Sequence, residues 1–200
     1  MSADALPSVD GRRARRDQNR ESVVDALLDL YRGGDIEPSV AAVAERSGVS
    51  HRSVFRYFED LDELYRVAIE RHYQAIADRL HISEIGQGPL DKRIAALVAN
   101  RLELYDVAAP VARVGHMKAP TEPVLLDNIR DMLDRAREQV DRHFANELGG
   151  LPAPERDAIA EAVTAAVSME TMELLRFLRQ LPRDEAEAAI GITVRRLLGG

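Results

Sequence analysis

The chain has 200 residues, 46% hydrophobic and 30% charged, proportions that suit an ordinary globular chain forming one large domain or two small ones. Its net charge of −7 excludes a protein coated in basic surface, so any contact with nucleic acid has to be a local patch. The absence of cysteine removes disulfides, thiolate nucleophiles and cysteine metal sites together, and is compatible with a cytoplasmic location.

Residues 11–58 hold nine arginines against seven acids, a net +2 that leaves −9 for the rest of the chain. Residues 1–17 are short of core-forming side chains and read as a flexible basic arm. Its Arg12, Arg13, Arg15 and Arg16 are either placed to reach phosphates or a minor groove, or form a solvated tail. From 18 to 32, Val23, Leu27, Leu30 and Tyr31 follow one helical face, and Gly33-Gly34 ends it.

Residues 39–58, SVAAVAERSGVSHRSVFRYF, carry the densest local signals. Ser39 is placed to cap a short helix with Val40, Val43 and Ala44 inward, and Gly48 breaks it where a positive φ is needed. Ser50 starts a second helix: Val54 and Phe58 fall on its inner face, while His51, Arg52, Ser53 and Arg56 face out. This is the pattern of a helix-turn-helix presenting donors to phosphates and base edges.

Asp60 and Glu63 have capping-box spacing and open a fourth helix, with Leu61, Leu64, Tyr65, Ala68, Ile69, His72, Ile76 and Leu80 along its buried side. Residues 83–89, with two glycines and a proline, mark a loop. Beyond it helices are expected at about 90–106, 108–114, 122–147, 155–180 and 184–198, with Pro89, Pro120, Pro123, Pro152, Pro154 and Pro182 at the joints. No strand-like alternation competes, so the expected fold class is all-α with about nine helices.

Catalysis is not expected. The histidines are scattered with no HExxH pair, and no Walker, GxGxxG or GxSxG loop is present. Asp127, Asp131 and Asp134 alternate with Arg130, Arg135 and Arg137 as a salt-bridged, solvated face. No cofactor or metal is implied, and no apolar run reaches the roughly 18 residues of a membrane span.

Ser39, Val43-Ala44, Gly48 to Ser50, Phe55, Tyr57-Phe58 and Glu63-Leu64 together resemble the DNA-binding domain of TetR-family bacterial transcriptional regulators. The chain departs from that pattern at Arg52, where a small residue is usual, at Phe55, usually tyrosine, and at Leu61, usually lysine. The last two commonly touch phosphate in the family, so Arg52, Arg56 and the N-terminal arginines are the expected replacements. The resemblance implies a DNA-binding domain at 18–59, a connecting helix at 60–82, and an effector-binding and dimerisation domain at 83–200.

Ser39, Ser50, His51, Arg52, Ser53, Phe55, Arg56 and Tyr57 are the DNA-binding candidates. Between them and the C-terminus, where the family binds a small effector, a mixed polar and adaptable set comprises His72, Arg101, Tyr105, His116, Met117, Phe144, Met172 and Phe177. An apolar or aromatic effector is the expected ligand, though a plain helical core would use the same residue types. The helix after 155 is apolar over more than one stripe and includes Val167 and Leu178; with the last helix it suits a two-fold interface, as in the family. The implied function is a homodimeric repressor of an inverted-repeat operator, released by a small molecule. The alternative is a ligand-independent dimeric DNA-binding protein that acts architecturally or through a protein partner.

Overall fold

The computed structural model describes residues 9–199, so Met1–Ser8, the start of the expected basic arm, lie outside the described residues. The described residues are helical, with no strand among them: α1 Val9–Arg32, α2 Val40–Ser47, α3 His51–Tyr57, α4 Leu61–Ala77, α5 Leu90–Lys118, α6 Pro123–His143, α7 Ala145–Leu148, α8 Ala153–Ala166, α9 Met169–Met172 and α10 Arg183–Leu197. They form two compact units, residues up to 72 with 110–118, and residues 73–109 with 119–200.

In the first unit α1 packs on α2 and α3. Val23, Val24, Leu27, Leu28 and Tyr31 of α1, Val43 of α2, Val54 of α3 with Phe58 just after it, and Leu64, Ala68 and Ile69 of α4 are all buried. Helix α1 starts at Val9, not at residue 18, so residues 9–17, expected within a flexible arm, form helical turns. Gly34, at φ 91°, turns the chain at its end, its amide donating to the Tyr31 carbonyl at 3.0 Å. Helix α4 opens on the capping box: Asp60 Oδ1 accepts from the Glu63 amide at 2.7 Å, and Glu63 Oε2 reaches back to the Glu59 amide at 2.6 Å. Arg71 of α4 is paired to Glu21 and Asp25 of α1.

The core of the second unit is built from Leu97, Val98, Leu102 and Tyr105 of α5, Val140 of α6, Phe144 and Leu148, Ala160 and Val163 of α8, Val167, Met172, and Ile190 and Val194 of α10. The loop 83–89 is fastened to it by a buried polar network. His143 Nδ1 accepts from the Gly86 amide at 3.0 Å and its Nε2 faces the Arg93 carbonyl at 2.9 Å, an arrangement that requires the neutral Nε2–H tautomer. Arg93 makes a two-pronged pair with Glu147 at 2.5 and 2.8 Å and donates to the carbonyls of Gly88 and His143. Burial, opposed by the bond to the Arg93 carbonyl and reinforced by Arg93 and Arg101, lowers the His143 pKa.

Beyond the start of α1, three further helix boundaries differ from those expected. The two helices at 90–106 and 108–114 are one, α5, with Pro110 inside it. Proline removes one intrahelical bond, but Ala108, Ala109, Val111 and Ala112 are all buried, and that packing carries the helix past the break. The helix expected at 122–147 stops at His143 and restarts as α7 after Phe144. The one at 155–180 breaks at Val167-Ser168, where Ser168 Oγ caps α9 by accepting from the Thr171 amide at 3.3 Å. A π-helical turn, Glu173–Leu178, follows, and the chain leaves it through Gln180 at φ 51°. Val167, counted from sequence with the interface, lies in the core at 2% exposure.

Candidate nucleic-acid interface

Short-range chemistry sets the α2–α3 corner. Ser39 Oγ accepts from the Ala42 amide at 3.2 Å to start α2, which ends at Gly48 with φ 68°, a left-handed conformation that side chains avoid. Ser47 Oγ accepts from the Val49 amide at 3.3 Å, and Ser50 Oγ accepts from the Ser53 amide at 3.3 Å to start α3. Ser39 and Ser50 are therefore exposed and also engaged as caps.

Helix α3 has Val54 inward and His51, Arg52, Phe55 and Arg56 exposed. His51 meets the Phe55 ring edge-on, centroids 5.3 Å apart, and Phe55 is 48% exposed, a large apolar side chain left in solvent. Ser53 is half-buried and its Oγ accepts from Ser50 at 3.0 Å.

Tyr57 departs from the expectation that it lies on the contact face: its side chain is buried. Its position three residues after Val54 brings its ring onto the inner side of α3. Its hydroxyl accepts from Asn19 Nδ2 of α1 at 3.2 Å and from Arg56 Nη2 at 3.1 Å, and Arg56 lies over its ring at 5.1 Å. The Asn19 bond, followed by Arg56 and Arg16, draws the Tyr57 pKa below its ordinary value against the opposing effect of burial. Tyr57 thus ties the end of α3 to α1 and fixes Arg56. Arg20, one turn from Arg16, lies over Phe58 at 4.8 Å, so the basic side of α1 adjoins the end of α3. Sequence reading missed Asn19, which carries no signal at a separation of 38 residues. The side chain of Arg12 lies outside the described residues.

The effector candidates are spread over both units and do not line the clefts described in the second. In the first, His72 is buried, His116 is half-buried with Nδ1 2.8 Å from the Ala112 carbonyl, and Met117 is exposed. In the second, Phe144 and Met172 are core residues, and Tyr105 donates to Glu173 at 2.8 Å. Arg101 is buried against Gln139 and Asn100. Phe177, expected to line a cavity, is instead 53% exposed, beside the exposed Leu174 and Leu178 on the π-helical turn. Two clefts of the second unit, one between α5 and α10 and one where the segment after α4 meets α6, are lined by none of these eight. Among the described residues no cluster of side chains suited to hold a metal is present, and no helix is long and apolar enough to cross a membrane.

The described residues form an all-helical fold that carries a helix-turn-helix at the α2–α3 corner. The chain is similar in structure to a TetR-family transcriptional regulator from Streptomyces coelicolor, with a TM-score of 0.74 at 22% identity over 90% of this chain and 80% of that one. A transcriptional regulator from Rhodococcus sp. Rha1 matches with a TM-score of 0.67, also at 22% identity, over 92% of this chain and 95% of that one. Likeness at this identity establishes that the chain has the TetR-family fold. No family model and no curated protein matches the sequence.

Proposed function

We propose that the chain is a TetR-like transcriptional regulator that binds an inverted-repeat operator as a homodimer and acts as a repressor released by a small molecule. The observation that carries the reading is the α2–α3 corner: two serine-capped helices around a left-handed glycine, with His51, Arg52, Phe55 and Arg56 on the open side. Arg52 reads base edges, while Arg56, Arg13, Arg15 and Arg16 grip phosphates in place of the tyrosine and lysine that the family has at Phe55 and Leu61. Helix α4 runs from Leu61 to Ala77, with its residues up to His72 in the first unit and those from Tyr73 in the second. A ligand releases DNA only as far as it prefers the state that cannot bind it, about 1.4 kcal/mol for each tenfold loss of operator affinity.

The second reading, a ligand-independent dimer acting architecturally or through a protein partner, is favoured by the burial of Phe144 and Met172 in the core. Selection of bound sequences from random duplex DNA tests both. An inverted repeat with half-sites about one helical turn apart, or a multiple of that, is expected for a two-fold reader. Recovery of no preferred sequence would sink the regulator reading and leave an architectural binder.

A further inference from the structure

The cleft between the segment after α4 and α6 has a volume of about 540 Å³, within the range of small-molecule sites. Leu80, Ile82 and Ile85 give it an apolar wall. Facing them, α6 contributes Arg135 and Arg142, two turns and roughly 10 Å apart along the helix axis. Among the described residues neither arginine is in an ion pair, whereas Arg137 on the same helix has Asp141, Asp157 and Glu161 around it. Arg142 Nε reaches only the Glu138 carbonyl, at 3.4 Å, and leaves that carboxylate alone.

Behind the cleft the charge is positive as well. Gln139, buried at its back, donates through Nε2 to the Leu80 carbonyl and accepts through Oε1 from Arg101. Arg101 is 4% exposed, and its bonds are to neutral acceptors, Gln139 and the Asn100 side chain. Burial lowers its pKa only to about 10, so it stays charged at neutral pH. A buried guanidinium without a carboxylate of its own favours an anion nearby.

We propose that this cleft binds an amphipathic organic monocarboxylate, with its hydrocarbon chain on Leu80, Ile82 and Ile85 and its carboxylate between Arg135 and Arg142. The site is separate from the α2–α3 corner and does not depend on the regulator reading. Among the described residues Glu138 is the acidic side chain on the lining, and it opposes the ligand's charge.

Calorimetric titration of the full chain with decanoate, kept below its micelle concentration, tests the site, with acetate and decyltrimethylammonium as comparators. Decanoate should bind saturably, acetate for want of a chain and the cation for want of the charge should not. The double variant Arg135→Ala/Arg142→Ala should weaken decanoate at least about tenfold, the loss of a charge-assisted pair. Glu138→Gln should tighten it by about threefold, as removal of an exposed like charge does. These are surface positions, and helical circular dichroism checks that each variant is folded; should the double variant fail to fold, Glu138→Gln decides. Equal binding of the cation, unchanged affinity in both variants, or no saturable binding would overturn the proposal. Titration of selected DNA with and without decanoate is a separate measurement, and its failure counts against effector release rather than against the site.

Discussion

Arg52 and Arg56 are four residues apart on α3 and differ in freedom. Arg56 is stacked on Tyr57 and bonded to its hydroxyl, whereas Arg52 projects from the first turn of α3 into solvent. Arg52→Ala is therefore expected to cost about 1–3 kcal/mol of operator affinity and to relax preference at defined base positions. Arg16→Ala should weaken all sequences alike and flatten the dependence on salt, because phosphate contacts act by counterion release. Titrations of operator and scrambled duplex at several salt concentrations separate the two, and identical sequence-independent losses would refute the assignment of α3. The outward arginines were legible because period 3.6 sorts residues by face. The same period puts Tyr57 on the inner side with Val54, but its bond to Asn19 of another helix was not legible. His143 was equally hidden, 50 residues from the Arg93 carbonyl that fixes its tautomer. An unfolded histidine takes up a proton near pH 6.5, while burial and the adjacent arginines lower the folded value. As pH falls below about 6.5 the unfolded chain binds more protons than the folded one, so stability declines. The pull of Arg93 on the Glu147 carboxyl, whose pKa it lowers, extends that decline to lower pH, as the Glu147 pair is protonated. Urea unfolding followed as the pH is lowered should show this slope in the wild type and a flatter one in His143→Gln, which is also less stable at neutral pH for loss of the Gly86 bond. An unchanged slope would mean that other groups govern acid stability.

At the scale of elements, signals contained within a few residues were sufficient wherever a cap decides the boundary. Ser39, Gly48, Ser50 and the Asp60–Glu63 box act in the structure as their spacing implies. Removing the box's acceptor by Asp60→Ala should cost about 1 kcal/mol, a typical N-cap loss. A lowered urea midpoint at unchanged slope would register it, and an unchanged midpoint would show that Glu63 and packing hold the start of α4 without it. The misread boundaries after residue 90 involve tertiary override. Pro110 is a stop signal that burial of its neighbours outweighs, and Ser168 is an undistinguished serine until Val167 before it is committed to the core and Thr171 after it bonds to the Ala165 carbonyl at 2.7 Å. The start of α1 at Val9 shows the converse, since nothing in the arginine-rich stretch forbids helix and only the lack of apolar residues argued against it.

For the molecule as a whole, apolar breadth after residue 155 was visible in the sequence, but its division between core and surface was not. The structure supplies that division. Val167 is 2% exposed and belongs to the core, while Leu178 is 67% exposed and stands with Leu174 and Phe177, and Ile192 of α10 is exposed too. Exposed large apolar side chains on consecutive turns are the kind of surface that a second copy covers in a two-fold interface. The two substitutions therefore test different things. Val167→Glu places an unpaired charge among packed side chains and should unfold the chain or make it insoluble, whatever its oligomeric state. Leu178→Glu in a monomer would touch only solvent and change stability by no more than about 0.5 kcal/mol. In a homodimer joined at this face it should yield folded monomers at micromolar concentration, seen by sedimentation. Operator affinity should fall with them, because one α3 engages one half-site and loses the contacts of the other. A wild-type chain that sediments as a folded monomer, or a Leu178→Glu dimer with full operator affinity, would place the two-fold contact elsewhere or remove it.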